Sequence, residues 1–457
     1  MYRLKQLTLL LGDLSAMYLG LLFALALRHL ELHKQVMTNL IAPMTILFLF
    51  AGLLMFIAGL YDVGPSKNDK KLYQRILLTA LIWLVMGMLY FYINPDEKVS
   101  PKTILVLTTV IGFSLVAVWR YTYNRFISAS VWQLNVVFAG ITPEIKELIK
   151  IIRKEPQFGY KVKGIITDDF SITQEFPDIY IGSSLAEINS ASVSTPNVIV
   201  LSPTMEDKVA ILKDLYNGLF QQISVVSLAN FYEEIMGRIP PFTFSEGWFI
   251  GNLQEQKKKI YDRLWLIVDY LSALIIGAFF LIVLAPVALA IKLNSHGPLF
   301  FKQKRVGKLG KTFYLYKLRT MKVLSADGSA EIHGPQFADK KDARITKVGS
   351  ILRKTRLDEI PQFINILKGE MSIIGPRPER PEFVDPIIQQ MPYYALRHLV
   401  KPGVTGWAQI RHGYTGSLDE NLRKLEYDLY YIKNRGPLLD IGIILRTINI
   451  VVRMAGR

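Results

Sequence analysis

The chain has 457 residues, of which 51% are hydrophobic, and it carries 54 Lys and Arg against 38 Asp and Glu, a formal net charge of +16. This length is too great for one ordinary soluble domain and predicts two or three units, while the mean hydropathy of +0.26 is typical of a membrane protein. The absence of cysteine excludes disulfides and Cys-ligated zinc or iron–sulfur sites, which leaves hard metals bound by carboxylates.

Four apolar runs open the chain, and each is about as long as a bilayer-spanning helix requires. They cover Leu7–Leu27, Leu40–Leu60, Ile76–Ile93 and Ile104–Trp119. The first run is too long and too poorly flanked for a cleaved signal peptide. Its Asp13 should face either the interior of a helix bundle or the membrane interface. We therefore predict a four-helix transmembrane bundle over residues 1–125.

The basic residues of the short loops predict the orientation of this bundle. One side carries Arg3, Lys5, Lys67, Lys70, Lys71, Arg75, Arg120 and Arg125, and the other carries Arg28, Lys34, Lys98 and Lys102. Because positive charge accumulates on the cytoplasmic side, the N-terminus and the chain after Trp119 should both lie in the cytoplasm.

Strands and helices alternate over residues 126–245, which predicts a small parallel α/β domain. The predicted strands are Leu134–Gly140, "KVKGIITDD", Pro196–Ser202 and "QISVVS", and the predicted helices are "PEIKELIKIIRK" and a segment near Asp207–Leu219. The turn "FAGITPE" suggests a dinucleotide site, but only Gly140 of the required glycines is present. We expect a degenerate Rossmann-like domain with a structural or regulatory role and no cofactor.

The most apolar run of the chain is Leu264–Ile291, which contains Asp269, Gly277 and Pro286. A plain fifth span would place the basic last third of the chain outside, against the charge rule. A proline inside a helix bends its axis, so a helix that enters the membrane, bends and returns is equally compatible with these residues.

The last third of the chain is strongly basic. From Lys292 onward there are 29 Lys and Arg against 15 Asp and Glu, a difference of +14. Basic and aromatic residues interleave over Phe301–Met321, a pattern found both on nucleic-acid platforms and on surfaces that lie on anionic lipid. The apolar, basic stripe of Asp440–Arg453 fits either a helix on a membrane surface or a core helix.

Two adjacent acids, Asp358 and Glu359, precede Pro361, which is tolerated only in a first helical turn. We therefore expect a helix to begin near Asp358 and to stop at Gly369. Its positive end should keep a carboxylate ionised and attract phosphate. A capping role would explain Asp358 alone, not the pair. A nucleophile beside a Mg²⁺ ligand explains both acids.

Arginines flank this pair and are expected to bind phosphate oxygens. They are Arg353 and Arg356 on one side and Arg377 and Arg380 on the other.

From about residue 259 onward, the chain resembles the catalytic domain of the bacterial sugar transferases called monotopic phosphoglycosyl transferases. The motifs that carry the resemblance are "GPLFFKQKRVGKLGKTFYLYKLRTM", "DARITKVGSILRKTRLDEIPQFINILKGEMSIIGPRPE" and "KPGVTGWAQIRHGY". The whole chain resembles the large form of this family, which adds four transmembrane helices and a nucleotide-binding-like domain.

The resemblance implies transfer of a hexose-1-phosphate from a UDP-sugar to undecaprenyl phosphate with release of UMP. Asp358 would attack the β-phosphate to form a phosphosugar-aspartyl enzyme, with Glu359 beside it and Mg²⁺ held by the two acids. By motif, contacts to phosphates or uridine would come from Lys317, Arg319, Arg377, Gly403, Thr405, Gly406, Trp407 and Gln409.

The resemblance also implies a catalytic domain over residues 255–457 at the cytoplasmic face of the bacterial inner membrane, in contact with lipid and with a re-entrant helix at 264–291. Where the family bends this helix at Ser-Pro, this chain has Ala285-Pro286. The family suggests a homodimer and a role at the start of exopolysaccharide, capsule or O-antigen synthesis, with no nucleic-acid partner. Two other hypotheses are a membrane-tethered binding or regulatory protein and a membrane sugar-nucleotide dehydratase, which needs a glycine-rich cofactor loop that this chain lacks.

Overall fold

The computed structural model describes residues 2–28, 34–62, 68–94, 102–127, 133–191, 196–205, 223–241, 246–253, 258–324, 342–412 and 418–452. The chain forms two compact units, Met1–Met236 and Gly237–Arg457. It is rich in helix, with several apolar helices and a five-stranded parallel sheet, so the predicted class of a membrane protein with an α/β part is confirmed. The predicted helix near Asp207–Leu219 lies outside the described residues.

Four long helices open the first unit: α1 (Tyr2–Arg28), α2 (Lys34–Ile57), α3 (Lys70–Ile93) and α4 (Lys102–Ile127). Helices α1, α3 and α4 each contain one of the apolar runs, α2 contains most of the second run, and all four are long and apolar enough to cross a bilayer. The second run was placed three residues too far, because α2 ends at Ile57 and Gly59 turns the chain at φ +74°. A positive φ of this kind favours glycine, which explains the stop.

A buried ion pair joins α1 to α4. Asp13 is 2% exposed, and its Oδ1 accepts a hydrogen bond from Arg120 Nε at 3.0 Å. Arg120 also donates to the carbonyl of Leu60, just beyond α2. Of the two placements expected for Asp13, the structure therefore has the one inside the bundle. Such a pair contributes little net stability, but the loss of either partner leaves an uncompensated buried charge.

The α/β part contains β1 (Leu134–Ala139), α5 (Pro143–Lys154), β2 (Tyr160–Ile166), β3 (Tyr180–Gly182), α6 (Leu185–Ala191), β4 (Val198–Leu201), β5 (Ser224–Ser227) and α7 (Leu228–Met236). The five strands pair in parallel in the order β3-β2-β1-β4-β5. The four predicted strands and helix α5 are present. A Cβ at Gly140 would lie 2.0 Å from Ser202 Oγ, so this glycine serves close packing at the end of β1.

The second unit begins with α8 (Glu246–Asn252) and the 36-residue helix α9 (Lys259–Asn294), which extends the predicted 264–291 at both ends. Helix α9 is the fifth helix of the described residues that is long and apolar enough to cross a membrane. Near its start, Asp269 Oδ1 accepts hydrogen bonds from the Ser372 hydroxyl at 2.8 Å and the Ile373 amide at 2.9 Å. Near its end, Ile291 packs with Leu318 and Leu352.

The remaining elements of this unit follow α9 along the chain. The elements are β6 (Phe300–Val306), β7 (Thr312–Leu318), α10 (Lys347–Thr355), α11 (Phe363–Leu367), β8 (Ser372–Ile374), α12 (Pro381–Gln390), β9 (Gly403–Thr405), α13 (Trp407–Arg411), α14 (Leu418–Asn434) and α15 (Pro437–Val452). Strands β6 and β7 form an antiparallel hairpin, and β8 pairs with β9 in parallel.

The C-terminal helix α15 combines both interpretations of its sequence. Ile443 is fully buried against Ile374, Trp407 and Tyr431. Leu438 on the same helix is 82% exposed. One face is therefore core, and the other leaves apolar side chains uncovered within this unit.

Candidate active site

The two adjacent acids lie in a tight turn between two helices. Helix α10 ends at Thr355, Arg356 takes a left-handed conformation at φ +56°, and a 3₁₀ turn runs over Leu357–Gln362. Asp358 and Glu359 in this turn are 7% and 8% exposed. No side chain caps the turn, so a capping role for Asp358 is excluded.

The predicted helix is shorter and tighter than expected. The 3₁₀ turn passes directly into α11, which ends at Leu367, and Gly369 follows at φ +73°. The predicted stop at Gly369 is confirmed. A 3₁₀ turn places residues i and i+3 in line, so the two neighbouring acids project in different directions.

Glu359 is surrounded by three cations. Its Oε1 accepts hydrogen bonds from Lys317 Nζ at 2.9 Å and Arg377 Nη2 at 2.8 Å, and its Oε2 accepts one from Arg356 Nη1 at 3.3 Å. Burial opposes its charge, but the guanidinium of Arg377 and the other cations hold the pKa of Glu359 well below its usual range. This acid is ionised throughout the physiological range.

Asp358 has a different environment. Within the described ranges, no side chain or amide donates a hydrogen bond to its carboxylate, although it is buried. Burial and the charge of Glu359 raise the pKa of Asp358 to about 6, while Lys317 and Arg353 act in the opposite direction. The carboxyl of Asp358 therefore takes up a proton at a higher pH than an ordinary aspartate does, but with a pKa of about 6 it is still mostly ionised at neutral pH.

Lys317 and Arg353 are two of the cations that act on Asp358. Lys317 is on β7, and burial lowers the pKa of its ammonium despite the nearby Glu359. Arg353 is on α10, where its Nε donates to Thr320 Oγ1 at 3.1 Å. Four of the predicted phosphate-binding cations thus cluster around the two acids: Lys317, Arg353, Arg356 and Arg377.

Arg377 is held both through its side chain and through its backbone carbonyl. Arg377 Nη1 donates to Gln409 Oε1 at 3.3 Å, so predicted residue Gln409 reaches the site through this arginine. The Arg377 carbonyl accepts a hydrogen bond from Arg397 Nη2 at 2.9 Å, and the same nitrogen lies 2.8 Å from Asp428 Oδ2. Arg397 and Asp428 are buried and were not predicted from the sequence.

A second unpredicted network lies behind the same loop. Glu379 forms an ion pair with Lys424 and lies 3.6 Å from Arg305. Although burial opposes its charge, Lys424 and its basic neighbours lower the pKa of Glu379 to about 2. A signal for this network exists in the sequence, because Asn421, Lys424 and Asp428 recur at helical spacing in α14.

Other predicted residues lie away from the acids. Arg319 donates to the carbonyls of His296 and Ser295 (2.8 Å for the latter), where it covers the end of α9. The Arg380 Nε lies 3.4 Å from Glu382. The Thr405 hydroxyl lies 2.7 Å from that of Thr447 on α15. Trp407 is 7% exposed and stacks on Tyr430, so its ring is part of the core.

The predicted glycines join two loops of the site. A Cβ at Gly403 would lie 2.0 Å from the Gly375 nitrogen, and a Cβ at Gly406 would lie 2.2 Å from the Gly375 oxygen. This close backbone approach requires glycine. Gly403 and Gly406 therefore fix the loop that carries Gln409 against the loop that carries Arg377.

Some known proteins match this chain over most of its length, and others match it only within its second unit. The family model described as "Bacterial sugar transferase" matches residues 260–454. A Klebsiella pneumoniae protein named UDP-glucose:undecaprenyl-phosphate glucose-1-phosphate transferase is 35% identical over 86% of this chain and 85% of its own length.

Two further relatives match the second part of the chain. An Aeromonas hydrophila protein named UDP-N-acetylgalactosamine-undecaprenyl-phosphate N-acetylgalactosaminephosphotransferase is 46% identical, over 40% of this chain and 43% of its own length. An exopolysaccharide production protein of Rhizobium leguminosarum is 39% identical over 41% of this chain and 94% of its own length.

Proposed function

Because the chain belongs to the bacterial sugar transferase family, we propose that it transfers a hexose-1-phosphate from a UDP-sugar to undecaprenyl phosphate through a covalent intermediate on Asp358. The observation that carries this proposal is the contrast between the two acids. Glu359 is ion-paired to Lys317, Arg356 and Arg377, whereas the buried Asp358 carboxylate accepts no hydrogen bond among the described residues.

This contrast supports a division of labour. A carboxylate that accepts several hydrogen bonds is a poor nucleophile, because those bonds must weaken before it attacks. Asp358 accepts no such bond from the residues that the structure describes, and its raised pKa makes the ionised form more basic. Glu359 binds three cations next to Asp358. Their positive charge offsets the electrostatic repulsion between an anionic nucleophile and a diphosphate.

The proposed reaction has two displacements at one phosphorus atom. In the first, an Asp358 oxygen bonds to the β-phosphorus of the UDP-sugar as the bond from that phosphorus to the bridging oxygen breaks, and UMP leaves with the electron pair. In the second, a phosphate oxygen of undecaprenyl phosphate attacks the same phosphorus and the Asp358 carboxylate leaves. The product is an undecaprenyl diphosphate sugar. We propose that Arg353 and Arg377, whose charges both act on Asp358, bind the phosphate oxygens in both steps.

The donor atoms present fit a magnesium ion. Mg²⁺ binds through one or two carboxylates together with water and substrate phosphates, and the described residues contain no group of three or more acidic or histidine ligands. Both carboxylate oxygens of Asp358 can serve as ligands. The carboxylate of Glu359 accepts three hydrogen bonds and can accept one further interaction. Asp358 and Glu359 would hold the ion, which when bound would neutralise diphosphate charge.

We propose further that α9 enters and leaves the membrane on its cytoplasmic face. Asp269 near one end is bonded to β8, and Ile291 near the other packs on β7 and α10, all within the second unit. These residues are 22 positions apart, about 33 Å of straight helix. A plain span would separate its two anchored ends by a bilayer, so anchoring on one unit supports the re-entrant placement with the site facing cytosolic nucleotides.

The family assignment favours this function over the two other hypotheses. A sugar-nucleotide dehydratase needs a glycine-rich loop after β1, and Gly140 is the only glycine in that turn. We propose that the first unit combines a transmembrane four-helix bundle with a degenerate Rossmann-like domain in a structural or regulatory role. The Rhizobium relative, an exopolysaccharide production protein, supports a place in polysaccharide synthesis.

The test is UMP release by the full chain in detergent with Mg²⁺, undecaprenyl phosphate and a panel that includes UDP-glucose and UDP-N-acetylgalactosamine. We expect release with at least one donor and its loss in Asp358→Asn. Asp385→Asn, which changes an exposed acid of the same unit, is the matched control. A phosphosugar adduct on Asp358 should be detectable by mass spectrometry when the acceptor is omitted. Undiminished release in Asp358→Asn would refute the nucleophile assignment.

A further inference from the structure

The second unit begins before the range that the family model matches. Its first described residues, which we call the upstream segment, are 237–241 and 246–252, whereas the match begins at residue 260. The carbonyl of Gly237 accepts a hydrogen bond from Trp407 Nε1 at 2.8 Å. Gly237 adopts φ +62°, and a Cβ there would lie 3.5 Å from the Trp407 ring. The backbone of the upstream segment therefore contacts the edge of the Trp407 indole ring at Gly237.

The next two residues fix the upstream segment on α14. Arg238 is 1% exposed and forms an ion pair with Glu426. The Ile239 amide donates to the Glu426 carbonyl at 3.0 Å. A buried arginine paired in this way resists displacement, because either charge left alone in the interior is costly. The residues that follow Gly237 are thus held on α14.

A second contact lies further along the upstream segment. Phe249 of α8 stacks on Tyr393, with ring centroids 5.3 Å apart and an angle of 29° between the planes. Tyr393 is in the 3₁₀ helix Pro392–Leu399, which also contains Arg397. An aromatic pair of this geometry stabilises both elements.

The contact of Gly237 with Trp407 and that of Phe249 with Tyr393 are both linked to Arg377 through nearby residues. Trp407 begins α13, which carries Gln409, and Gln409 accepts a hydrogen bond from the Arg377 side chain. Arg397, four residues after Tyr393, donates to the Arg377 carbonyl. Arg377 in turn donates to Glu359 at 2.8 Å. The upstream segment is therefore connected to the side chain and to the backbone of the same arginine.

We propose that the upstream segment is a positioning element of the active site, which sets Arg377 against Glu359 by holding Trp407 and Tyr393. This inference rests on the proposed function for its activity readout only. Misplacing a group by about 1 Å lowers rates by about 100-fold, so small shifts of Arg377 have measurable effects. The residues of the upstream segment would be positioning residues, since they contact Trp407, Tyr393 and Glu426 rather than the two acids.

The test uses the full chain with Trp407→Phe, which keeps an aromatic ring against Tyr430 but removes the N–H donor. Trp265→Phe is the matched control, because Trp265 packs in the same cluster and its indole N–H has no partner in the described part of the chain. We expect Trp407→Phe to lower kcat/KM for the UDP-sugar about 10-fold, the effect of one lost hydrogen bond. Most of the loss should appear in kcat, because a misplaced Arg377 stabilises the transition state less well, and Trp265→Phe should change neither kcat nor KM.

A second variant tests whether the effect passes through the upstream segment. Arg238→Gln should reduce kcat/KM in the same way, and the double variant with Trp407→Phe should be no worse than the more impaired single variant, because both loosen one contact. Additive losses would overturn the proposal. So would a Trp407→Phe enzyme that matches Trp265→Phe.

Hydrogen exchange on the same proteins needs no turnover. Trp407→Phe should speed exchange at residues 375–380 and 407–411 without changing β6 and β7, whereas Trp265→Phe should leave residues 375–380 unchanged. A wild type that releases no UMP from any donor would refute the proposed function, and exchange alone would then decide the positioning role. Unchanged exchange at residues 375–380 in Trp407→Phe would overturn it.

Discussion

We expect the buried, charged carboxylate of Asp358 to lower the stability of the folded protein, although the proposed reaction requires it. Asparagine has nearly the same shape as aspartate but carries no charge, so Asp358→Asn removes the cost of a buried carboxylate without a hydrogen-bond donor. Moving the pKa of Asp358 from its ordinary 3.8 to about 6 costs the folded chain about 3 kcal/mol at neutral pH, at about 1.4 kcal/mol for each pH unit. We expect Asp358→Asn to raise the free energy of unfolding by about 2–3 kcal/mol at pH 7.5.

The pH dependence of this gain follows from the direction of the shift. The folded chain holds the Asp358 proton more tightly than the unfolded chain does. Below about pH 4 both states are protonated and the cost is absent; it grows between about pH 4 and 6 and is complete above that. The advantage of Asp358→Asn should therefore be present at pH 7.5 and nearly absent at pH 4.

The measurement is hydrogen exchange of the slowest amides in β6 and β7, because these report the opening of the second unit alone. Asp385→Asn, at an exposed position, is the control and should have little effect at either pH. The reasoning fails if Asp358→Asn is no more stable than wild type at pH 7.5. It fails equally if the gain is the same at both pH values, since a packing effect would not titrate.

Three other changes have defined outcomes. In Glu359→Gln, UMP release should fall at least 100-fold at pH 7.5, and its acidic limb should move about one pH unit lower than the wild-type limb near pH 6, because the charge that raises the pKa of Asp358 is gone. Arg397→Ala should destabilise the second unit by about 3–5 kcal/mol in a denaturant titration, because it leaves Asp428 buried without its closest partner, and adding Asp428→Asn should recover part of that loss. Arg319→Ala should lower stability by about 1–3 kcal/mol in the same titration, since two carbonyls at the end of α9 lose their donors.

Much of the fold could be predicted because its signals are local. The four runs before Trp119 and the run from Leu264 are recognisable by length and hydropathy alone, and β1 and β4 are short continuous apolar runs typical of buried parallel strands. Strand β3 was missed, since three residues at a sheet edge leave no periodic pattern. The end of α2 was placed late, because apolar Leu60 continues the hydropathy of the run beyond Gly59.

The acids and arginines that the structure brings together could be singled out from the sequence, but the buried ion pairs behind them could not all be found in this way. Asp358, Glu359 and Arg377 stand out because acids and arginines close together beside prolines are unusual. Arg397 and Asp428 lie 39 and 70 residues beyond Asp358, and only the folded chain brings them behind the Arg377 loop. Asp428 could have been found from its helical spacing with Asn421 and Lys424, but no pattern in the linear sequence distinguishes the buried charge of Arg397 from a solvated one.

The two attachments of α9 determine what kinds of change this helix can accept. Asp269 is bonded to β8, and Ile291 is packed against β7 and α10, so the number of residues between them sets both a distance and an angle. Deleting a single residue between these points would shorten the helix by about 1.5 Å and rotate one attachment by about 100° relative to the other. The outward-facing side chains of α9 include Ile275 and Ile282, which are 71% and 77% exposed. The exposed positions of this helix can therefore change from one apolar residue to another, whereas the buried Ala273, Gly277 and Phe280 and the number of residues between Asp269 and Ile291 cannot change freely.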